Sequence, residues 1–157
     1  MNYLAIYRAS LADGEGWRTV LFVSGCHHHC KGCHNPESWN PKAGKPFTEE
    51  TKKMLFSYIT DQIDGLTISG GDPLHRNNIK IVTKLCKEFK ETFPDKTIWL
   101  YTGNLYRDSK NLEIMNYVDV IVDGEFKEEL KDTTLAFRGS SNQRIIDTKT
   151  GKILIKS

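Results

Sequence analysis

Three of the chain's four cysteines fall inside eight positions: Cys26, Cys30 and Cys33, in the stretch SGCHHHCKGCHN, directly after the apolar run Arg18–Val23. The C-x3-C-x2-C spacing constrains the fold more than any other feature. Thiols this close converge only if the chain leaves its strand and doubles back in a compact loop. Gly25 and Gly32 allow the sharp turns and let amide N–H groups face a negatively charged metal–sulfur centre. Structural zinc wants four ligands, usually from two separated pairs; here the fourth would come from His27, His28, His29, His34 or the distant Cys86. A single tight loop is better suited to an iron–sulfur cube. There each thiolate takes a different iron, and three thiolates leave one iron of a [4Fe–4S] cluster open for substrate or cofactor chemistry. A dithiol pair is the third reading, since Cys30-Lys31-Gly32-Cys33 is itself C-x-x-C, but it leaves Cys26 idle and lacks a helix start. The spacing favours the cluster and leaves zinc and the dithiol open. His27–His29 read as exposed imidazoles in the spacer, with no task of their own.

The rest of the chain places this loop. Arg18–Val23, Gly65–Ser69, Thr97–Tyr101 and Val118–Asp123 are short, apolar and rich in β-branched or aromatic residues, the pattern of buried strands in a largely parallel sheet. Helices are expected from a Thr48 cap to about Tyr58, over about 78–92, and around 108–116. In the second of these Ile79, Val82, Leu85, Cys86 and Phe89 form an apolar stripe, which makes Cys86 a buried thiol. Strand–loop–helix repetition implies an α/β fold with crossovers. Extra strands are expected near Tyr3–Tyr7 and Lys152–Ile155, too few in all for a closed eight-stranded barrel, so an open or partial (β/α) barrel is expected. At 157 residues the chain suits one domain, residues 1–157, with a short polar C-terminal tail from about residue 138.

A second loop shares the sheet edge with the first. Ser69-Gly70-Gly71-Asp72-Pro73 leaves its strand with two glycines, an acid and a φ-locked proline. The glycine pair allows close backbone approach to a ligand, and the carboxylate suits a cationic amine. Thr102-Gly103 is a third candidate loop on the same side. The formal charge of +2 gives no electrostatic case for nucleic acid, and the apolar runs are far shorter than the ~20 residues that cross a bilayer. The N-terminal MNYLAIYRAS lacks the pattern of a signal peptide, so a cytoplasmic location is expected. In that reducing compartment clustered cysteines point to metal or redox chemistry before disulfides.

The cysteine loop after a first strand resembles the radical S-adenosylmethionine (SAM) superfamily. The wider set DGEGWRTVLFVSGC, CKGCHNPESW, LTISGGDPLH, IWLYTGN, VDVIVDGEF and FRGSSNQR is similar to the family of anaerobic ribonucleoside-triphosphate reductase activases, from about residue 13 to residue 144. The resemblance implies a fold of the radical SAM type, with Cys26, Cys30 and Cys33 holding a [4Fe–4S] cluster. It implies SAM contacts from Gly32, Cys33 and His34 and from Gly70, Gly71 and Asp72. The implied reaction is reductive cleavage of SAM at the cluster, giving a 5′-deoxyadenosyl radical that takes a hydrogen atom from a glycine of the reductase large subunit. The implied partners are that subunit and an external one-electron donor such as a flavodoxin, with a homodimer or a complex with the reductase dimer both compatible. Two positions depart from the family pattern: His34 stands where Tyr or Phe is usual, and Asp123-Gly124-Glu125 replaces Asp-Gly-Lys. Other readings are a zinc-binding interaction module, the activase of another glycyl-radical enzyme, and a radical SAM enzyme for small molecules. The short chain leaves little covering over the site, which fits a large protein substrate.

Overall fold

The structure, a computed structural model, describes residues 1–33 and 36–154. The strands in chain order are β1 (Asn2–Ser10), β2 (Arg18–Val23), β3 (Lys45–Pro46), β4 (Gly65–Gly70), β5 (Thr97–Tyr101), β6 (Val120–Asp123), β7 (Arg144–Asp147) and β8 (Ile153–Leu154). All join one sheet in the order β3-β1-β2-β4-β5-β6-β7-β8. The four apolar runs, β2, β4, β5 and β6, pair in parallel at its centre. Antiparallel strands flank them, β1 and β3 on one side, β7 and β8 on the other. The sheet is mixed and does not close.

The two long helices pack on one face. Helix α1 (Glu49–Ser57) begins where the sequence signals it: the Thr48 hydroxyl accepts the Thr51 N–H while the Thr51 hydroxyl accepts the Thr48 N–H, a reciprocal cap. Helix α2 (Ile79–Thr92) turns Val82, Leu85, Cys86 and Phe89 inward, onto Leu21, Ile68, Leu100 and Ile121 of the sheet. Fully burying a side chain such as Phe89 contributes about 2–3 kcal/mol. The opposite face of the sheet carries Trp99, Val122 and Ile145, packed by Phe137 of the loop before β7. Trp99 and Phe137 meet edge to face with ring centroids 5.4 Å apart.

Two expectations change. The helix expected around 108–116 is instead a single turn, α3 (Tyr106–Ser109), followed by a 3-10 turn over Glu113–Asn116. Leu112 between them is extended (φ −69°, ψ 145°), which breaks the helix and lets Ile114 bury completely. The segment from about 138, expected as a polar tail, supplies β7, while β8 forms within the strand expected near the C-terminus. Ile145 and Ile146 point to opposite faces of the sheet and are both buried, which removes that strand from solvent.

Because β2, β4, β5 and β6 run parallel and in register, Val23 beside Gly70, Ile68 beside Leu100 and Tyr101 beside Val122, their C-terminal ends share one edge. The cysteine loop follows β2, Gly71-Asp72 follows β4, Thr102-Gly103 follows β5 and Gly124-Glu125 follows β6. Four loops that are far apart in sequence meet there.

Candidate functional site

The cysteine loop is fastened at its start. Gly25 N–H donates to Ser38 O (2.6 Å), Cys26 N–H to Trp39 O (3.1 Å), and Asn78 Nδ2 to Ser24 O (2.8 Å). Gly25 and Gly32 hold φ of 103° and 76°, where a side chain is strained, so the turning role expected of them is met. His29 also has positive φ (48°), and its ring stacks on Trp39 with centroids 4.4 Å apart.

Cys26, Cys30 and Cys33 are free thiols, each partly buried, and all three line one cavity of about 540 Å3. That size lies within the ~300–1,000 Å3 range of small-molecule sites. Burial pushes the Cys26 thiol up; burial and the Glu125 carboxylate push Cys30 up to about 11. Both are therefore neutral thiols in the metal-free chain, and a bound metal centre would replace their protons. Cys86 is fully buried on α2 and does not line the cavity. Among the described residues no three His, Cys, Asp or Glu side chains converge on a point where one ion would sit. His34, proposed from sequence as a ligand or cofactor contact, lies outside the described residues. Three unpaired thiols around an open cavity, with the fourth cysteine out of reach, fit a cube with one corner left to another ligand.

Gly70, Gly71 and Asp72 form the neighbouring wall. Gly70 has φ of 105°, and Gly71 passes so close to the cysteine loop that a Cβ would stand 2.6 Å from Gly25 O. The two loops are joined by Asp72 N–H donating to Gly25 O at 2.7 Å. The Asp72 carboxylate, fully buried, accepts from the Thr102 hydroxyl (2.8 and 3.0 Å), Leu74 N–H (2.9 Å) and Gly103 N–H (3.0 Å). The third loop thus holds the second, which is how Thr102-Gly103 belongs to the site.

His28 corrects the expectation of an idle spacer. Its side chain is 9% exposed, with Nε2 2.8 Å from Asp72 Oδ2 and Nδ1 3.3 Å from Glu125 Oε2. The hydrogen bond to Asp72 raises the imidazole's pKa above its ordinary value, against the opposing effect of burial. No spacing rule reveals this contact, which joins residues 44 positions apart. Of the departing Asp123-Gly124-Glu125 segment, Asp123 is buried against Arg144, Gly124 lines the cavity, and Glu125 faces His28 and Cys30. The segment 138–144 is laced onto the same loop: Gln143 Nε2 donates to Gly124 O (3.1 Å) and Asn142 Nδ2 to Glu125 O (2.8 Å).

Comparison with known proteins adds to this geometry. Residues 12–146 match the family model described as a 4Fe-4S single cluster domain. The anaerobic ribonucleoside-triphosphate reductase-activating protein of Enterobacteria phage T4 is 45% identical over 152 residues, covering 96% of this chain and 97% of the relative. Proteins of the same name from Pasteurella multocida and Escherichia coli K12 are 41% and 38% identical, each covering more than nine-tenths of both chains.

Proposed function

The chain belongs to the anaerobic ribonucleoside-triphosphate reductase-activating proteins and carries a 4Fe-4S single cluster domain, and from that premise we propose in detail how its residues serve a radical SAM activase. The reading makes Cys26, Cys30 and Cys33 the cluster ligands. Gly32, Cys33 and His34 from the cysteine loop, with Gly70, Gly71 and Asp72 from the loop after β4, make the SAM site. When bound and reduced, the cluster supplies the electron that cleaves SAM, so that the released adenosyl radical takes hydrogen from a glycine of the reductase large subunit.

The chain's own residues bind, orient and exclude water. Gly70 and Gly71 carry no side chains, which leaves the wall of the cavity open to close backbone approach. The Asp72 carboxylate, hydrogen-bonded by Thr102, Leu74, Gly103 and His28, lends its negative charge to the cavity wall against which the ammonium group of SAM would lie. Ala12 and Asp13 border the cavity from the β1–β2 connection, and Leu135 and Phe137 border it from the connection before β7. A glycine-bearing loop of the large subunit enters between these borders. The open mixed sheet corresponds in this reading to a partial barrel of the radical SAM type. No helix among the described residues is long and apolar enough to cross a membrane. We place the enzyme in the cytoplasm, with an external one-electron donor of flavodoxin type, acting as a homodimer or bound to the reductase dimer.

The observation that carries the proposal is the meeting of all three clustered cysteines with the Gly70-Gly71-Asp72 loop on one cavity. The test is anaerobic incubation of iron- and sulfide-loaded protein with SAM, reductant and the large subunit, followed by electron paramagnetic resonance. A glycine-centred doublet that requires all components is expected. Cluster-loaded protein that cleaves no SAM and yields no doublet overturns the reading.

A further inference from the structure

His28 stands between two cluster ligands in sequence, yet its imidazole reaches inward to all three of the other strand-end loops. Nε2 meets Asp72 of the loop after β4, Nδ1 meets Glu125 of the loop after β6, and the ring covers Gly103 of the loop after β5 so closely that a Cβ there would stand 2.6 Å from it. An ionised carboxylate offers about four acceptor positions. Leu74 N–H, Thr102 Oγ1 and Gly103 N–H fill three of those of Asp72, and His28 takes the fourth, on the cavity side. The neighbouring His29 anchors the same loop from outside by stacking on Trp39.

We infer that His28 is a positioning residue that ties the cysteine loop across the sheet edge, through Asp72 and Glu125, and so holds Cys26 and Cys30 where the cluster needs them. The inference deepens the proposed function and rests on it for the identity of the metal centre. A ligand-bearing loop with no regular secondary structure owes its shape to such contacts. Glu125, which His28 contacts, lies 3.8 Å from Cys30 Sγ, and disturbing an outer partner of a metal ligand costs about 10–100-fold in metal affinity as a rule. The competing role is a placeholder, an imidazole resting on Asp72 only until the ammonium of SAM displaces it. The two roles give opposite results on substitution.

The experiment compares cluster-loaded wild type, His28→Ala and His28→Gln, measuring iron loss to a strong chelator and, separately, the dissociation constant for SAM. The tie requires iron loss from His28→Ala to be roughly tenfold to a hundredfold faster than from wild type. It requires His28→Gln, whose amide nitrogen reaches the same carboxylate, to recover most of the difference. In a double-variant comparison, His28→Ala should add less once Asp72→Ala is present than it does in the wild type, because one of its two carboxylate contacts is already cut while that to Glu125 remains. Iron loss from His28→Ala within twofold of wild type overturns the inference, and so does tighter SAM binding with unchanged iron loss. Amide hydrogen exchange of the metal-free full-length chain provides a second readout. Residues 24–33 should exchange faster in His28→Ala while α2 is unchanged, and equal exchange in the loop overturns the tie. If the wild type takes up no iron and sulfide, the proposed function fails, while the exchange comparison still decides whether His28 orders the loop. If His28→Ala exposes α2 as well, His28→Gln against the shorter His28→Asn carries the same comparison.

Discussion

Arg144 lies against the fully buried carboxylate of Asp123, its Nη2 2.6 Å from Oδ2 and its Nε 3.1 Å from Oδ1. The pair joins the first residue of β7 to the last of β6, and Tyr106 N–H donates to the same carboxylate at 2.8 Å. The interaction with Asp123 raises the pKa of the guanidinium, which is charged at any physiological pH. Removing one partner of such a pair leaves a buried charge without its main compensation. The Arg144 side chain is 39% exposed, so water screens part of the interaction, and Arg144→Met should cost about 1–2 kcal/mol in urea unfolding. Adding Asp123→Asn should return part of that loss, since the charge is then gone too.

Arg18 closes the other end of the sheet. The residue is 1% exposed, and its guanidinium donates to Thr67 Oγ1, Glu15 O, Thr97 Oγ1, Leu66 O and Thr97 O at 2.8–3.0 Å. Burial pulls its pKa down to about 10, which still leaves it charged at neutral pH. Arg18→Met should destabilise the fold by about 3 kcal/mol, because several buried oxygens lose their donor together. Arg18→Lys, with fewer donors and no planar fork, should recover less than half of that in the same unfolding experiment.

The four cysteines should separate cleanly. Cys26→Ala, Cys30→Ala and Cys33→Ala should each abolish SAM cleavage and lower the iron content of loaded protein. Cys86→Ala should keep wild-type iron and activity, at a cost of about 1 kcal/mol in stability from its buried site on α2. Elemental analysis and single-turnover SAM cleavage measure both. Wild-type activity in any of the first three variants would remove that residue from the ligand set.

Glycines near and far from the cavity should behave differently. A Cβ on Gly71 would stand 2.6 Å from Gly25 O and 2.8 Å from Ser38 O, both backbone atoms that cannot turn aside. Gly71→Ala should therefore push the cysteine loop off its wall, cost about 2 kcal/mol and sharply reduce cluster loading. Gly151→Ala meets no atom within 4 Å, and its φ of 73° should cost only about 1 kcal/mol, with loading unchanged. Equal loading of the two variants would show that the close packing at Gly71 has no role in holding the loop.

The central strands, the Thr48 cap, the apolar stripe of α2 and the compact cysteine loop were all legible in the sequence. Each depends on neighbours within a few positions: alternation, a 3.6-residue period, a side chain reaching the next turn, glycine before cysteine. The order of strands beyond the parallel core and the capture of Ile145 and Ile146 depended on what those residues could pair with across the sheet. The same holds for the Asp123–Arg144 and His28–Asp72 contacts, whose partners stand 21 and 44 positions apart. A polar side chain in a loop reads alike whether it meets water or a buried carboxylate; which it meets is settled only when four parallel strand ends are brought to one edge. Local chemistry thus determined what this chain can hold, and the tertiary structure decided which side chains keep the holding loops in place.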